Sequence, residues 1–118
     1  MKKQILIAAA ALLLSLISLN TVAEPLVGSM EGIISDESGE SLPGVQIDIS
    51  HKRTSKIYAS ITNEKGQWRV VDLPIGGPYI IKASLEGFKT QEADNLYIKA
   101  NQVLSIDLVL NLASEEEE

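Results

Sequence analysis

Apolar and polar residues alternate along most of the chain after residue 23, and turn-forming residues interrupt the alternation. A period of two is typical of half-buried strands, because neighbouring side chains of a strand point to opposite faces. Turn signals every 8 to 12 positions or so are typical of β-sandwiches. No segment here keeps the 3.6-residue period of an amphipathic helix. The pattern therefore predicts an all-β domain of two packed antiparallel sheets.

Seven segments show the alternation, and each predicts one short strand: 30–35, 44–50, 56–62, 67–72, 79–87, 95–100 and 102–110. In the third segment Ile57, Ala59 and Ile61 share one face, and we expect Tyr58 to point outward. Tyr97 is also expected to point outward. The inner faces of the other strands are assigned to Val45, Ile47, Ile49, Trp68, Val70, Tyr79, Ile81, Ala83, Leu85, Leu104, Ile106, Leu108 and Leu110.

Glycine and proline separate the segments. Gly66 lies in TNEKGQW and can adopt the positive φ of a hairpin-type loop, so we expect a hairpin-type connection there. Pro78 cannot donate to a strand ladder and therefore belongs at the start of its strand, after the tight crossover LPIGGP. The residues that we assign to turns are Gly39, Pro43, Gly44, Gly66, Gly77, Pro78 and Gly87.

The first 23 residues differ from the rest. Lys2 and Lys3 precede an apolar run from Ile5 to Leu19, and Asn-Thr-Val-Ala follows. This order is typical of a secretory signal peptide, and the run is shorter than the roughly 20 apolar residues of a membrane span. We expect cleavage after Ala23, one domain over residues 24–112, an acidic tail over 113–118, and no lipid anchor or membrane span in the mature protein.

Charge narrows the set of partners. Without residues 1–23 the chain has eight basic and sixteen acidic residues, a net charge of −8, and residues 115–118 are all glutamate. An acidic surface repels nucleic acid and anionic lipid, so we expect no nucleic-acid partner. We interpret the glutamate run as a solvated tail, with contact to a basic partner as the alternative. The chain has no cysteine, so stability must come from packing.

Catalytic chemistry has few candidates. His51 is the only histidine, and we expect it to be a solvated strand-end residue. The adjacent Ser50 should point to the opposite face of the strand, which argues against a serine triad. Asp36, Glu37 and Glu40 lack the spacing of a calcium loop and suit a turn. We therefore expect no enzymatic activity, no catalytic residue, no cofactor and no metal site.

The chain resembles the carboxypeptidase regulatory-like domain in three stretches: GIISDESGESLPGVQIDIS, TNEKGQWRVVDLPIGGPYIIKASLEGF and LYIKANQVLSIDLVL. The resemblance implies a seven-stranded, antiparallel Greek-key sandwich of the transthyretin-like, carbohydrate-binding-like type. The variant GGPY is similar to the N-terminal extension of some TonB-dependent outer-membrane transporters. The residues that carry the resemblance are Gly32, Asp36, Gly39, Pro43, Gly44, Val45, Thr62, Gly66, Trp68, Leu73, Gly77, Pro78, Tyr79, Gly87 and Phe88.

Members of this family are attached to proteases, transporters and surface proteins, so the resemblance implies an interaction module. We expect a periplasmic or secreted protein, including one associated with the outer membrane, that contacts another cell-envelope protein through sheet edges or loops. A second hypothesis is glycan binding, with Tyr58, Tyr97 and Lys99 as ligand contacts. A third is that the chain is the N-terminal part of a TonB-dependent transporter.

Overall fold

The computed structural model describes residues 26–113, so the predicted signal peptide and the glutamate run lie outside the described residues. Within this range the chain forms strands, turns and bends, and no helix. The prediction of an all-β fold is therefore confirmed. The strands are β1 Val27–Asp36, β2 Gln46–His51, β3 Ile57–Ile61, β4 Gln67–Pro74, β5 Gly76–Ser84, β6 Gln91–Ile98, β7 Val103–Ser105 and β8 Leu108–Leu110.

Two four-stranded sheets face each other. One has the order β4-β1-β7, with β8 also on β1, and the other has the order β3-β2-β5-β6. The core between them contains the predicted inner residues of β2, β4 and β5, as expected from their alternation. Fully buried members include Met30, Ile34, Ile47, Ile49, Leu73, Tyr79, Ile81 and Leu110.

The last predicted strand, 102–110, is split into two. Ser29 pairs with Val103 and Ile34 pairs with Leu108, so both pieces keep the same offset of 74 residues from β1. Between them the Asp107 carboxylate accepts a hydrogen bond from the Ile33 N–H at 2.8 Å. A side chain thus replaces a backbone acceptor, which interrupts the ladder and makes eight strands rather than seven.

Strand direction was also predicted wrongly for this segment. Both β7 and β8 run parallel to β1, whereas every other pairing is antiparallel among the described residues. The reason is topological: the chain leaves β6 at the end of the sandwich where β1 begins, so the next strand must run in the same direction as β1. Five other strands also extend beyond their predicted ranges: β1 covers Val27–Asp36, β2 ends at His51, β4 ends at Pro74, β5 starts at Gly76 and β6 starts at Gln91.

The two faces of the third strand, β3, are reversed relative to the prediction: Tyr58 was expected to point outward, but it points towards the core. Tyr58 pairs with Ile49 and packs partly buried against the core. Ile57 and Ile61 are instead 69% and 62% exposed. Paired residues lie on the same face of a sheet, so the core-facing Ile49 fixes Tyr58 inside, and the apolar alternation of this strand marks its outer face.

The loop between β3 and β4 was predicted to be hairpin-like, but β3 and β4 belong to different sheets. Thr62 joins the start of this loop to the connection between β1 and β2: its hydroxyl accepts from the Val45 N–H at 2.9 Å and donates to the Leu42 carbonyl at 2.7 Å. Gly66 has a φ of +74°, and a Cβ there would lie 2.5 Å from the Ile34 carbonyl oxygen. The loop therefore connects the sheets and needs glycine for both conformation and space.

Asp36 ends β1 and organises the following turn. One oxygen of its carboxylate accepts from the Ser38 N–H, the Ser38 hydroxyl and the Glu40 N–H. These bonds, chiefly that of the Ser38 hydroxyl, hold the pKa of Asp36 below its ordinary value. Asp36, one of the acidic residues considered for a calcium loop, therefore serves as the cap of this turn.

Candidate functional site

His51 closes the hairpin between β2 and β3 and is buried, being only 6% exposed. Its ring meets Tyr79 edge to face, with centroids 4.5 Å apart, and its Nδ1 accepts from the Arg53 N–H at 3.2 Å. The prediction of a solvated residue is therefore wrong, because the partner of His51 across the sheet is the core residue Tyr79. Ser50 lies on the other face, as predicted, so the two side chains do not meet.

The LPIGGPY segment joins the two sheets at the same end of the sandwich. Ile75 alone separates β4 from β5, and the Gly77-Pro78 peptide is cis. A Cβ at Gly77 would lie 2.5 Å from the Leu96 carbonyl oxygen, so β6 packs directly on this turn. Tyr79 then donates its hydroxyl to the Pro74 carbonyl at 2.6 Å. The turn chemistry thus builds a structural corner.

Burial, together with the nearby Tyr58, raises the pKa of Tyr79 to about 12. An unfolded tyrosine ionises near pH 10, so the unfolded state loses its proton first as pH rises. We expect the free energy of unfolding to fall between pH 10 and 12 by roughly 2–3 kcal/mol from this group. Urea titrations at several pH values should show that Tyr79→Phe removes this slope. The control Tyr97→Phe, at an exposed site, should leave it unchanged; an unchanged slope in Tyr79→Phe would contradict the assignment.

The three predicted ligand contacts are not brought together. Tyr58 is on β3 and Tyr97 is on β6, at opposite edges of the same sheet. Three strand spacings of about 4.8 Å put these edges roughly 14 Å apart. Tyr97 is 57% exposed and Lys99 follows β6, also exposed, whereas Tyr58 is partly buried in the core packing. Tyr97 and Lys99 are therefore left as one small candidate ligand surface, and Tyr58 is not part of it.

The edge of β3 has a free set of backbone groups. In the β2–β3 hairpin the His51 N–H bonds the Lys56 carbonyl and the Thr62 N–H bonds the Val45 carbonyl. Since hydrogen-bonded pairs alternate in an antiparallel ladder, Tyr58 and Ser60 bond to β2. The N–H and C=O groups of Ile57, Ala59 and Ile61 therefore point away from β2, and no other described strand pairs with β3.

The same three residues carry the exposed side chains of the strand. We call their side chains and free backbone groups the β3 edge. At its far end lies an open groove of about 520 Å³ between β3 and the first sheet. Its lining includes Ser60, Ile61, Gln67 and Arg69. An extended peptide beside β3 would find both backbone partners and a place for side chains.

Basic residues cluster where β3 begins. Lys52, Arg53 and Lys56 occupy the hairpin turn, and all three are exposed. The one salt bridge among residues 26–113 joins Lys82 and Glu92, so this basic turn has no ion pair within that range. The sequence HKRTSKI shows this basic cluster, since it holds three of the chain's ten basic residues just before Ile57. That Ile57 is exposed beside the cluster follows only from which face of β3 points outward.

Residues 26–113 contain no group of three or more His, Cys, Asp or Glu side chains placed to hold a metal ion. No helix in that range is long and apolar enough to cross a bilayer.

This geometry defines a two-sheet β-sandwich with an open edge strand. The chain belongs to the carboxypeptidase regulatory-like domain family, whose model matches residues 29–111. A search of curated proteins finds no match to the chain.

Solved structures share the fold at low identity. Catechol 1,2-dioxygenase from Acinetobacter sp. ADP1 aligns at a TM-score of 0.63 and 13% identity, over 81% of this chain and 56% of that protein. The Bacillus anthracis TIE protein aligns at 0.61 and 23% identity, over 74% and 17%. The major pilin subunit of Bacillus cereus aligns at 0.62 and 14%, over 74% and 29%. The chain thus spans less than two thirds of each of these proteins, and the likeness concerns the fold.

Proposed function

We propose that the protein is an exported, non-catalytic interaction module of the cell envelope that binds another protein through the β3 edge. The observation that carries the proposal is the unpaired backbone of Ile57, Ala59 and Ile61 next to two exposed isoleucine side chains. Unpaired edges bind extended segments by adding a strand, and most natural domains protect them with charge or proline. No charged residue or proline lies within β3 itself.

Several observations support the remaining parts of the proposal. The basic start and apolar run of residues 1–23 have the order of an export signal. Carboxypeptidase regulatory-like domains are non-catalytic. The similar fold within a major pilin subunit is an instance of this sandwich in a protein that assembles with others. The hypothesis that the chain is the N-terminal part of a TonB-dependent transporter is compatible with binding through the β3 edge, since a module attached to a transporter would also contact neighbouring proteins.

Site-specific photocrosslinking in the exporting cell tests the proposal. A photoreactive residue at Ala59 should give a discrete crosslinked product with an envelope protein, because its backbone N–H lies on the free edge. The matched control is Val109, which is 50% exposed on β8. Equal crosslinking at both positions, or none at Ala59, would reject the β3 edge. Fractionation and the mass of the purified chain test export, with residue 24 expected as the first residue.

Glycan binding is the second candidate, and Tyr97 beside Lys99 favours it because both side chains are exposed at the edge formed by β6. A sugar ring would stack on Tyr97, so Tyr97→Ala should abolish any glycan-array signal while Tyr58→Phe leaves it intact. If the array shows no Tyr97-dependent signal, this candidate is rejected.

A further inference from the structure

We infer that the partner of the β3 edge is an extended protein segment with acidic residues at the end that lies beside the basic turn. This inference rests on the proposed function, and it adds the chemistry of the partner. It is drawn from the position of charge on the sandwich, from the side chains of β3 and from the charge of the whole chain.

The two ends of the sandwich carry opposite charge. The end where β2 finishes and β3 and β5 begin carries Lys52, Arg53, Lys56 and Lys99, with Asp72 as its acidic member among the described residues. The opposite end carries five acidic and two basic residues: Asp36, Glu37, Glu40, Glu64, Glu86, Lys65 and Lys89. In an acidic protein, a local concentration of unpaired basic side chains selects a negatively charged segment.

The β3 edge continues directly from this basic turn. Lys56 precedes Ile57 in the chain, so a strand added to β3 would pass the basic residues at one end and Ile61 at the other. Its alternate side chains would cover Ile57, Ala59 and Ile61, which requires apolar or small residues on that face. The partner segment is therefore apolar at alternate positions along β3 and acidic next to the turn.

Other occupants fit less well. The mature chain has a net charge of −8, so it repels anionic lipid surfaces and a second copy of itself. The acidic run of a second copy, residues 115–118, has the right charge but offers only glutamate to the isoleucines. Backbone pairing, apolar cover and negative charge together favour a segment of a different protein.

Labelled synthetic peptides test the inference with the full exported chain. The probes are Glu-Glu-Glu-Thr-Val-Thr-Val-Thr and its reverse, which cover both strand directions, and matched peptides with lysine in place of glutamate. Fluorescence anisotropy should show binding of one glutamate probe. Changing Lys52, Arg53 and Lys56 together to glutamate should weaken it on the order of tenfold at low salt, and added salt should reduce the difference.

A second variant separates the inference from the proposed function. Ala59→Pro removes an N–H that β2 does not use, and edge strands tolerate proline at such positions, so the fold should survive as judged by circular dichroism. It should lower the binding of every probe. Because position 59 is then occupied by proline, the photoreactive residue is moved to position 57 for this variant, and crosslinking from there should also fall. If Ala59→Pro abolishes binding but glutamate and lysine probes bind alike, the edge stands and the acidic partner is wrong. If Ala59→Pro changes nothing, both are wrong.

Two further measurements can overturn the inference. Sedimentation with vesicles of phosphatidylglycerol and phosphatidylcholine should show no binding; binding that the Lys52, Arg53 and Lys56 changes remove would assign the basic turn to lipid. Analytical ultracentrifugation should show a monomer at the concentrations used. A salt-sensitive dimer that disappears on deletion of residues 115–118 would make a second copy the occupant.

Discussion

Replacing Trp68 by alanine is expected to destabilise the domain by about 3–5 kcal/mol, which is most of the roughly 5–15 kcal/mol that a domain of this kind has. Trp68 is only 3% exposed and belongs to the core cluster between the two sheets. Truncation would leave a cavity beside β4, an edge strand, and the surrounding residues would not relax enough to fill it. Circular dichroism during urea denaturation measures the effect, because the variant has no tryptophan fluorescence.

The matched variant for this prediction is Trp68→Phe. The Trp68 Nε1 is buried with no hydrogen-bond partner among the described residues, so the wild-type side chain already carries an unfavourable buried donor. Phenylalanine keeps most of the packing and removes that donor, and its cost should be clearly smaller than that of alanine. A melting temperature of Trp68→Ala within a few degrees of the wild type would show that Trp68 is not a core residue.

The substitution Gly32→Ala is expected to be similarly severe, at about 3 kcal/mol or more, because it forces two backbones apart. A Cβ at Gly32 would overlap the Ile106 carbonyl oxygen and would lie 2.6 Å from the carbonyl carbon. It would also lie 2.9 Å from Trp68 Nε1. Since Ile106 lies at the break between β7 and β8, hydrogen exchange should show that both short strands lose protection first.

Gly39→Ala is the control for this second prediction. Gly39 has a φ of +88°, yet nothing lies within 4 Å of its added Cβ. It should therefore cost only the conformational penalty of about 1 kcal/mol. Equal destabilisation by Gly32→Ala and Gly39→Ala would mean that the close approach of β1 to Ile106 is not what makes Gly32 necessary.

The central strands could be predicted from the sequence because burial and alternation agree in them. Ile47 and Ile49 on β2, and Val45 just before it, lie in the middle of the sheet, where β2 has a neighbouring strand on each side, so their faces follow from hydrophobicity alone. On the edge strand β3 the same rule gave the wrong face, because pairing with β2 decides it. Periodicity shows that a strand has two different faces, whereas the register decides which one is buried.

The remaining errors arose from interactions distant in sequence. Asp107 reaches Ile33 across 74 residues and splits the last strand, a contact that no local pattern contains. His51 is buried by Tyr79, its partner on the neighbouring strand β5 of the same sheet, which lies 28 residues further along the chain. Recognition of the candidate site also required contacts distant in sequence. The basic residues and the isoleucine of HKRTSKI can be read from the sequence. Only the strand pairing shows that they lie at an open sheet edge.

The parallel pairing of β1 with β7 and β8 also sets how the domain would respond to mechanical load. The chain enters β1 at one end of the sandwich and leaves β8 at the other, while the two strands lie side by side. Tension applied across residues 26 and 113 would slide them past each other in shear. The force would be shared along the whole ladder, including the Asp107 contact, instead of opening one bond after another as in peeling.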